Sequence, residues 1–156
     1  MHCLTRFRAL VREDVGLIMT EEISIDTEQT PERERPETPP AAAVLAHAVG
    51  DFMLDKKVTD LIVLDITKVS SLGDYMVIGT TSSSRQSRAL TKDLEFLVKD
   101  LGAKRIGTSG RDGGWWVLVD LGDVIVHLMD DEARQFYNLE AFWSDAEVVR
   151  RSTNVA

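Results

Sequence analysis

Residues 115–129 read WWVLVDLGDVIVHLM, two apolar runs joined by Gly122 and Asp123. A two-residue connection with glycine first fits a tight hairpin turn, whose twist matches that of the strands it joins. That turn pairs Leu121 with Val124, Asp120 with Ile125 and Leu118 with His127, and side chains then alternate between two faces. One face carries Trp115, Val117, Val119, Leu121, Val124, Val126 and Leu128, wholly apolar, and belongs to a core. The other carries Trp116, Leu118, Asp120, Ile125, His127 and Met129. An Asp and a His set into an apolar face need a reason, because burying an unpartnered polar group is costly.

The rest of the chain supplies elements to pack on that hairpin. Leu45, Ala48, Val49, Phe52 and Met53 recur at helical spacing, which predicts an amphipathic helix over 41–57. DLIVLDI (60–66) and YMVIGTT (75–81) are short runs rich in branched residues and read as buried strands. One of Ser82, Ser83 or Ser84 caps a following helix with the stripe Leu90, Leu94, Leu97, Val98 and Leu101, ended by Gly102. KRIGTSG is a short strand that enters the loop SGRDGG. A last helix over about 131–144 holds Phe136, Tyr137, Leu139, Phe142 and Trp143 nearly all the way round. The order α-β-β-α-β-β-β-α predicts an α/β fold with a mixed sheet of about five strands and flanking helices.

Length sets the domain plan. With 156 residues the chain has room for one domain, expected at 41–147, with a tail at 148–156. Residues 20–40, TEEISIDTEQTPERERPETPP, hold too little apolar surface to offset their ordering entropy and read as a disordered, acidic, Pro-rich extension. Arg6, Arg8 and Arg12 resemble a transit peptide, but acidic residues follow at once; a start upstream of the natural one at Met19 is the reading preferred here. The lone Cys3 excludes an intramolecular disulfide and a cysteine zinc site, which suits a reducing cytoplasm. A net charge of −8 argues against a chain that grips nucleic acid by its overall field. No apolar run is long enough for a membrane span.

Three kinds of chemistry compete for Asp120 and His127. An Asp orienting a His is half of a nucleophilic triad, but the serines lie in turns and no G-x-S-x-G elbow is present. Nucleotidyl transfer needs paired carboxylates for magnesium; Asp65, Asp74 and Asp120 are available, but the Gly-Ser turn and the close Asp pair are missing. Three histidines without metal-ligand spacing make no metal site, and no cofactor is expected. The third reading is a binding surface, since Trp, Tyr, Phe and Met are what interfaces favour. Core filling accounts for Trp115, Phe136 and Leu139; the binding-surface reading is expected to hold for Trp116, His127, Met129 and Tyr137.

The segments DLIVLDI, SSLGDYMVIGTTSSSRQSRAL and WWVLVDLGDVIVHLMDDEARQFYNLEAFWSD closely resemble the ribosomal silencing factor (Iojap) family over about 43–147. The most specific elements are W-x-L-x-D-L-G-D-V-I-V-H and R-x-x-Y-x-L-E-x-x-W. The resemblance implies a sheet similar to nucleotidyltransferases without their catalytic carboxylates, and a protein that is not an enzyme. It implies binding to the large ribosomal subunit through ribosomal protein fourteen on the intersubunit face, a steric block to subunit joining, and repression of translation when nutrients are short. Assembly of the large subunit is the alternative role, and a nucleotidyltransferase-like enzyme is the less favoured one. Carried onto this sequence, the partner-binding residues are Trp116, Leu118, Asp120, His127, Met129, Tyr137 and Leu139, with Trp115 in reserve. Homodimerisation is a further expectation; membrane binding and direct sequence-specific nucleic-acid binding are not. Gly73 departs from the family's usual Thr or Ala, the loop TSGRDGG is slightly unusual, and the acidic extension is not a family feature.

Overall fold

The structure, a computed structural model, describes residues 40–153. The expectations for the extension, Cys3 and Met19 lie outside the described residues. Helix α1 spans Ala42–Asp55, followed by strands β1 (Thr59–Asp65) and β2 (Tyr75–Thr80) and helix α2 (Ser84–Asp100). Then come β3 (Gly107–Ser109), β4 (Trp116–Asp120) and β5 (Val124–Met129). The chain finishes with α3 (Asp131–Tyr137), the one-turn α4 (Leu139–Phe142) and β6 (Glu147–Ser152).

One six-stranded mixed sheet runs in the order β3-β4-β5-β2-β1-β6. The β2–β5 pair is parallel and every other pair is antiparallel. The hairpin register is the expected one: Leu118 pairs with His127 and Asp120 with Ile125, and Leu121 N–H donates to Val124. Gly122 makes the turn possible, with a φ of 90° that side-chain-bearing residues rarely adopt. Ser83, from the expected trio, caps α2 by accepting from Gln86 N–H, and Gly102 at φ 76° follows its last turn.

Both long helices lie on one face of the sheet. Leu45, Val49 and Met53 of α1 and Leu90, Leu94 and Val98 of α2 pack on Val63, Val77, Val119 and Val126. The approach of α1 is close: a Cβ on Gly79 of β2 would sit 2.5 Å from the Met53 methyl group and 2.4 Å from Val58. The opposite face buries a second, smaller cluster built on Ile62, Leu64, Met76, Ile78 and Met129. Here α3 and α4 supply the cover, with Ala133, Leu139 and Trp143.

Three expectations are corrected. The last helix is broken at Asn138, which adopts the left-handed conformation (φ 43°, ψ 58°), so α3 and α4 are separate. Asn is among the few residues that tolerate that conformation. Residues 148–152, expected within the tail, belong to β6 (Glu147–Ser152), which pairs with β1. Trp115 and Phe136, expected in the core, are exposed at 46% and 81%. Trp115 precedes β4 and stacks on Tyr137 at 6.0 Å between ring centroids.

Candidate functional site

The strand face opposite the two long helices is only partly covered, and an open groove of about 410 Å³ is left there. Leu118 and Asp120 of β4 and Ile125 and His127 of β5 line it from the hairpin. Leu72 and Met76 enter from the β1–β2 connection and β2, and Tyr137, Leu139, Phe142 and Trp143 come from the α3–α4 segment. The groove is therefore apolar almost throughout, with two titratable side chains on the strands.

Each of those two side chains is half satisfied. Asp120 is 1% exposed; its Oδ1 accepts from the Gly122 N–H at 2.8 Å, which locks the hairpin turn. Its Oδ2 is buried and has no hydrogen-bond partner. His127 is 5% exposed; its Nδ1 accepts from the Trp116 indole N–H at 3.1 Å. Its Nε2 is likewise buried without a partner. Burial pushes the His127 imidazole down to about 4, and the nearby Arg134 charge works the same way. His127 is neutral at physiological pH for that reason.

Asp120 and His127 share the face, as the alternation requires, but they do not hydrogen-bond to each other. The half-triad geometry is absent. Asp65 is engaged elsewhere: Thr67 donates to it from both its N–H and its hydroxyl, holding the carboxyl below its ordinary value. Among the described residues no group of three or more His, Cys, Asp or Glu is placed to hold a metal ion.

Of the seven residues expected at a partner surface, five line the groove: Leu118, Asp120, His127, Tyr137 and Leu139. Trp116 is half-buried beside it, 4.5 Å from the Tyr137 ring centroid, and acts on the groove through its bond to His127. Met129 is fully buried in the second core cluster and offers nothing to a partner. Leu139, read from its spacing as a core residue, is part of that cluster's cover and also a groove wall. Leu72, Met76, Ile125, Phe142 and Trp143 complete the walls and were not singled out from the sequence as binding residues. The aromatic-rich last helix was the sequence signal for Phe142 and Trp143, and Phe142 is 76% exposed.

Arg134 fixes the segment that roofs the groove. It donates to Glu140 of α4, to Thr80 Oγ1 on β2 at 3.1 Å and to the Asp60 carbonyl on β1 at 2.9 Å. One side chain thus ties α3 and α4 to two central strands. The turn holding Gly73 is also well fixed, because Asp74 N–H and Tyr75 N–H both donate to the Asp123 carbonyl. A Cβ at Gly73 would lie 3.1 Å from that oxygen, a tight fit.

The described residues form a mixed α/β domain with an apolar groove in which Asp120 and His127 are each half satisfied. The chain belongs to the family described as "Ribosomal silencing factor during starvation", which matches residues 36–156. A ribosomal silencing factor of Chromobacterium violaceum is 42% identical over 89 residues, 57% of this chain and 73% of that protein. A crystal structure of a protein from the same organism superposes with a TM-score of 0.65 at 33% identity, covering 75% of this chain and 95% of the other. The mouse protein named "Mitochondrial assembly of ribosomal large subunit protein 1" is 32% identical over 88 residues, 54% of this chain and 39% of its own length.

Proposed function

We propose that this protein binds the large ribosomal subunit through ribosomal protein fourteen, blocks joining of the small subunit by occupying that surface, and so represses translation. Membership of the silencing-factor family supports the ribosomal target. The observation that carries the site is the open apolar groove bordered by the exposed rings of Tyr137 and Phe142. Large exposed apolar patches mark interaction surfaces, and aromatic anchors dominate their energetics. The mechanism is steric and needs no turnover. A net charge of −8 favours encounter with a basic ribosomal protein and makes binding weaker at high salt. The setting we propose is the bacterial cytoplasm.

Sedimentation of the purified protein with isolated large and small subunits tests this reading. Co-migration with the large subunit alone, loss of that co-migration in Tyr137→Ala and Phe142→Ala, and fewer joined ribosomes are the expected results. A wild-type protein that stays at the top of the gradient refutes it. The mouse relative's name favours a second role in assembly of the large subunit; accumulation of immature large subunits in a deletion strain would mark that role.

A further inference from the structure

The groove floor carries one free acceptor and one free donor, and their identities follow from the hydrogen bonds already made. An indole N–H can only donate, so the Trp116–His127 bond obliges Nδ1 to accept. A neutral imidazole with Nδ1 accepting carries its proton on Nε2. Nε2–H of His127 is then a donor without an acceptor, while Oδ2 of Asp120 is an acceptor without a donor. Each side chain is more than nine-tenths buried, and each lines the same groove from neighbouring strands.

We propose that this pair reads a neutral amide of the large-subunit partner, its N–H donating to Asp120 Oδ2 and its C=O accepting from His127 Nε2–H. The proposal deepens the reading of the groove as the ribosomal contact and rests on it. A cationic side chain suits the site less well, even though the partner is expected to be basic. A guanidinium brings five donors and an ammonium three, with no acceptor for His127. Most of those donors would be left unpaired among Leu118, Ile125 and Leu139, a costly arrangement. A carboxylate could accept from His127 Nε2–H but brings no N–H to donate to Asp120 Oδ2. An amide offers one donor and one acceptor on separate atoms, which matches two orphan atoms on two strands. Charge attraction then belongs to the outer surface, and the groove itself selects an uncharged polar group with an apolar neighbour. Both orphan atoms lie just below the accessible surface of a groove that α4, a single turn without a buried residue, helps to line.

The test uses the full chain labelled with ¹⁵N-histidine and titrated with purified ribosomal protein fourteen. The free protein is expected to show the Nε2–H tautomer at His127, and binding is expected to shift that proton downfield and slow its exchange with water about tenfold or more. Asp120→Asn keeps an oxygen for the Gly122 N–H and replaces the free acceptor by a donor; it is expected to weaken binding about tenfold or more. Loss of binding together with loss of fold in that variant leaves the wild-type His127 resonance to decide. Wild-type binding with an unmoved His127 resonance, or an Asp120→Asn protein that is folded and binds as well as wild type, overturns the amide reading and leaves the ribosomal one standing. Failure of the wild type to bind either the large subunit or ribosomal protein fourteen removes the ribosomal reading, and the amide reading with it.

Discussion

The two faces of the sheet are built from the same strands and differ in how completely they are satisfied. On the helix-covered face the buried hydroxyls are paired: Thr81 with Ser87 at 2.7 Å, and Thr91 donating to the Ser87 carbonyl at 2.7 Å. On the groove face Asp120 and His127 each keep a buried atom without a partner. The cover differs too. Two helices of 14 and 17 residues close one face, while seven- and four-residue helices half close the other. One face is organised for stability. The other leaves a buried polar pair half satisfied, at a cost to stability.

The largest expected effect comes from the core on either face. Leu128→Ala, on the helix-covered side, should cost about 2–5 kcal/mol by denaturant unfolding. Met129→Ala sharpens the comparison, because Met129 was expected from the sequence to contact the partner and is instead fully buried. It should cost a similar 2–5 kcal/mol, with ribosome binding falling only in proportion to the folded fraction. Binding lost from a fully folded Met129→Ala protein would break that assignment.

His127 gives the next effect, and it is pH-dependent. Its folded value of about 4 lies below the ordinary 6.5, so the unfolded chain takes up the proton first as pH falls. The neutral, buried form therefore contributes its full stability above about pH 6.5, and this is lost progressively towards pH 4. The loss should reach roughly 3 kcal/mol for a shift of this size. His127→Gln should flatten the stability curve between those pH values, and an unchanged slope would show that another group carries it.

Arg134→Ala should come third, at about 2 kcal/mol, since it removes charge-assisted bonds to Glu140, Thr80 and Asp60 together. Hydrogen exchange should show the loss in α3 and α4 before the helix-covered core. Uniform loss of protection would mean that the roof and the core unfold as one unit.

The helix-covered face was legible in the sequence because periodicity states it directly. Leu90, Leu94 and Val98 can only be one stripe, and Val117, Val119, Val124 and Val126 only one strand face. The hairpin register followed from Gly122 alone. The groove was half legible. Alternation put Leu118, Asp120, Ile125 and His127 together, but it cannot say whether a face is open or covered, which is why Met129 was misplaced. Leu72, Met76 and the neighbours Phe142 and Trp143 come from three separate places, and only tertiary folding brings them to one groove. The break at Asn138 rests on a single residue's tolerance of left-handed backbone. β6 was missed because EVVRRS, an edge strand with four of six residues exposed, carries no buried run to announce it.

Phe142→Ala separates the two faces at the smallest cost to stability. Phe142 is 76% exposed and packs edge-on against Trp143 with ring centroids 5.1 Å apart. Truncating it should change stability by less than about 0.5 kcal/mol, since surface changes away from special features rarely exceed that. An aromatic anchor at an interface is worth more than about 1 kcal/mol, so large-subunit affinity should fall by roughly tenfold. The decisive observation is the ratio of the two effects in one variant, read by thermal unfolding and by sedimentation with large subunits. Phe136→Ala is the control, because Phe136 is more exposed still, at 81%, yet does not line the groove. Equal affinity losses in both variants would mean that the partner reads a broad aromatic surface on α3 and α4. Loss confined to Phe142→Ala would place recognition in the groove, where the strands leave Asp120 and His127 unpaired.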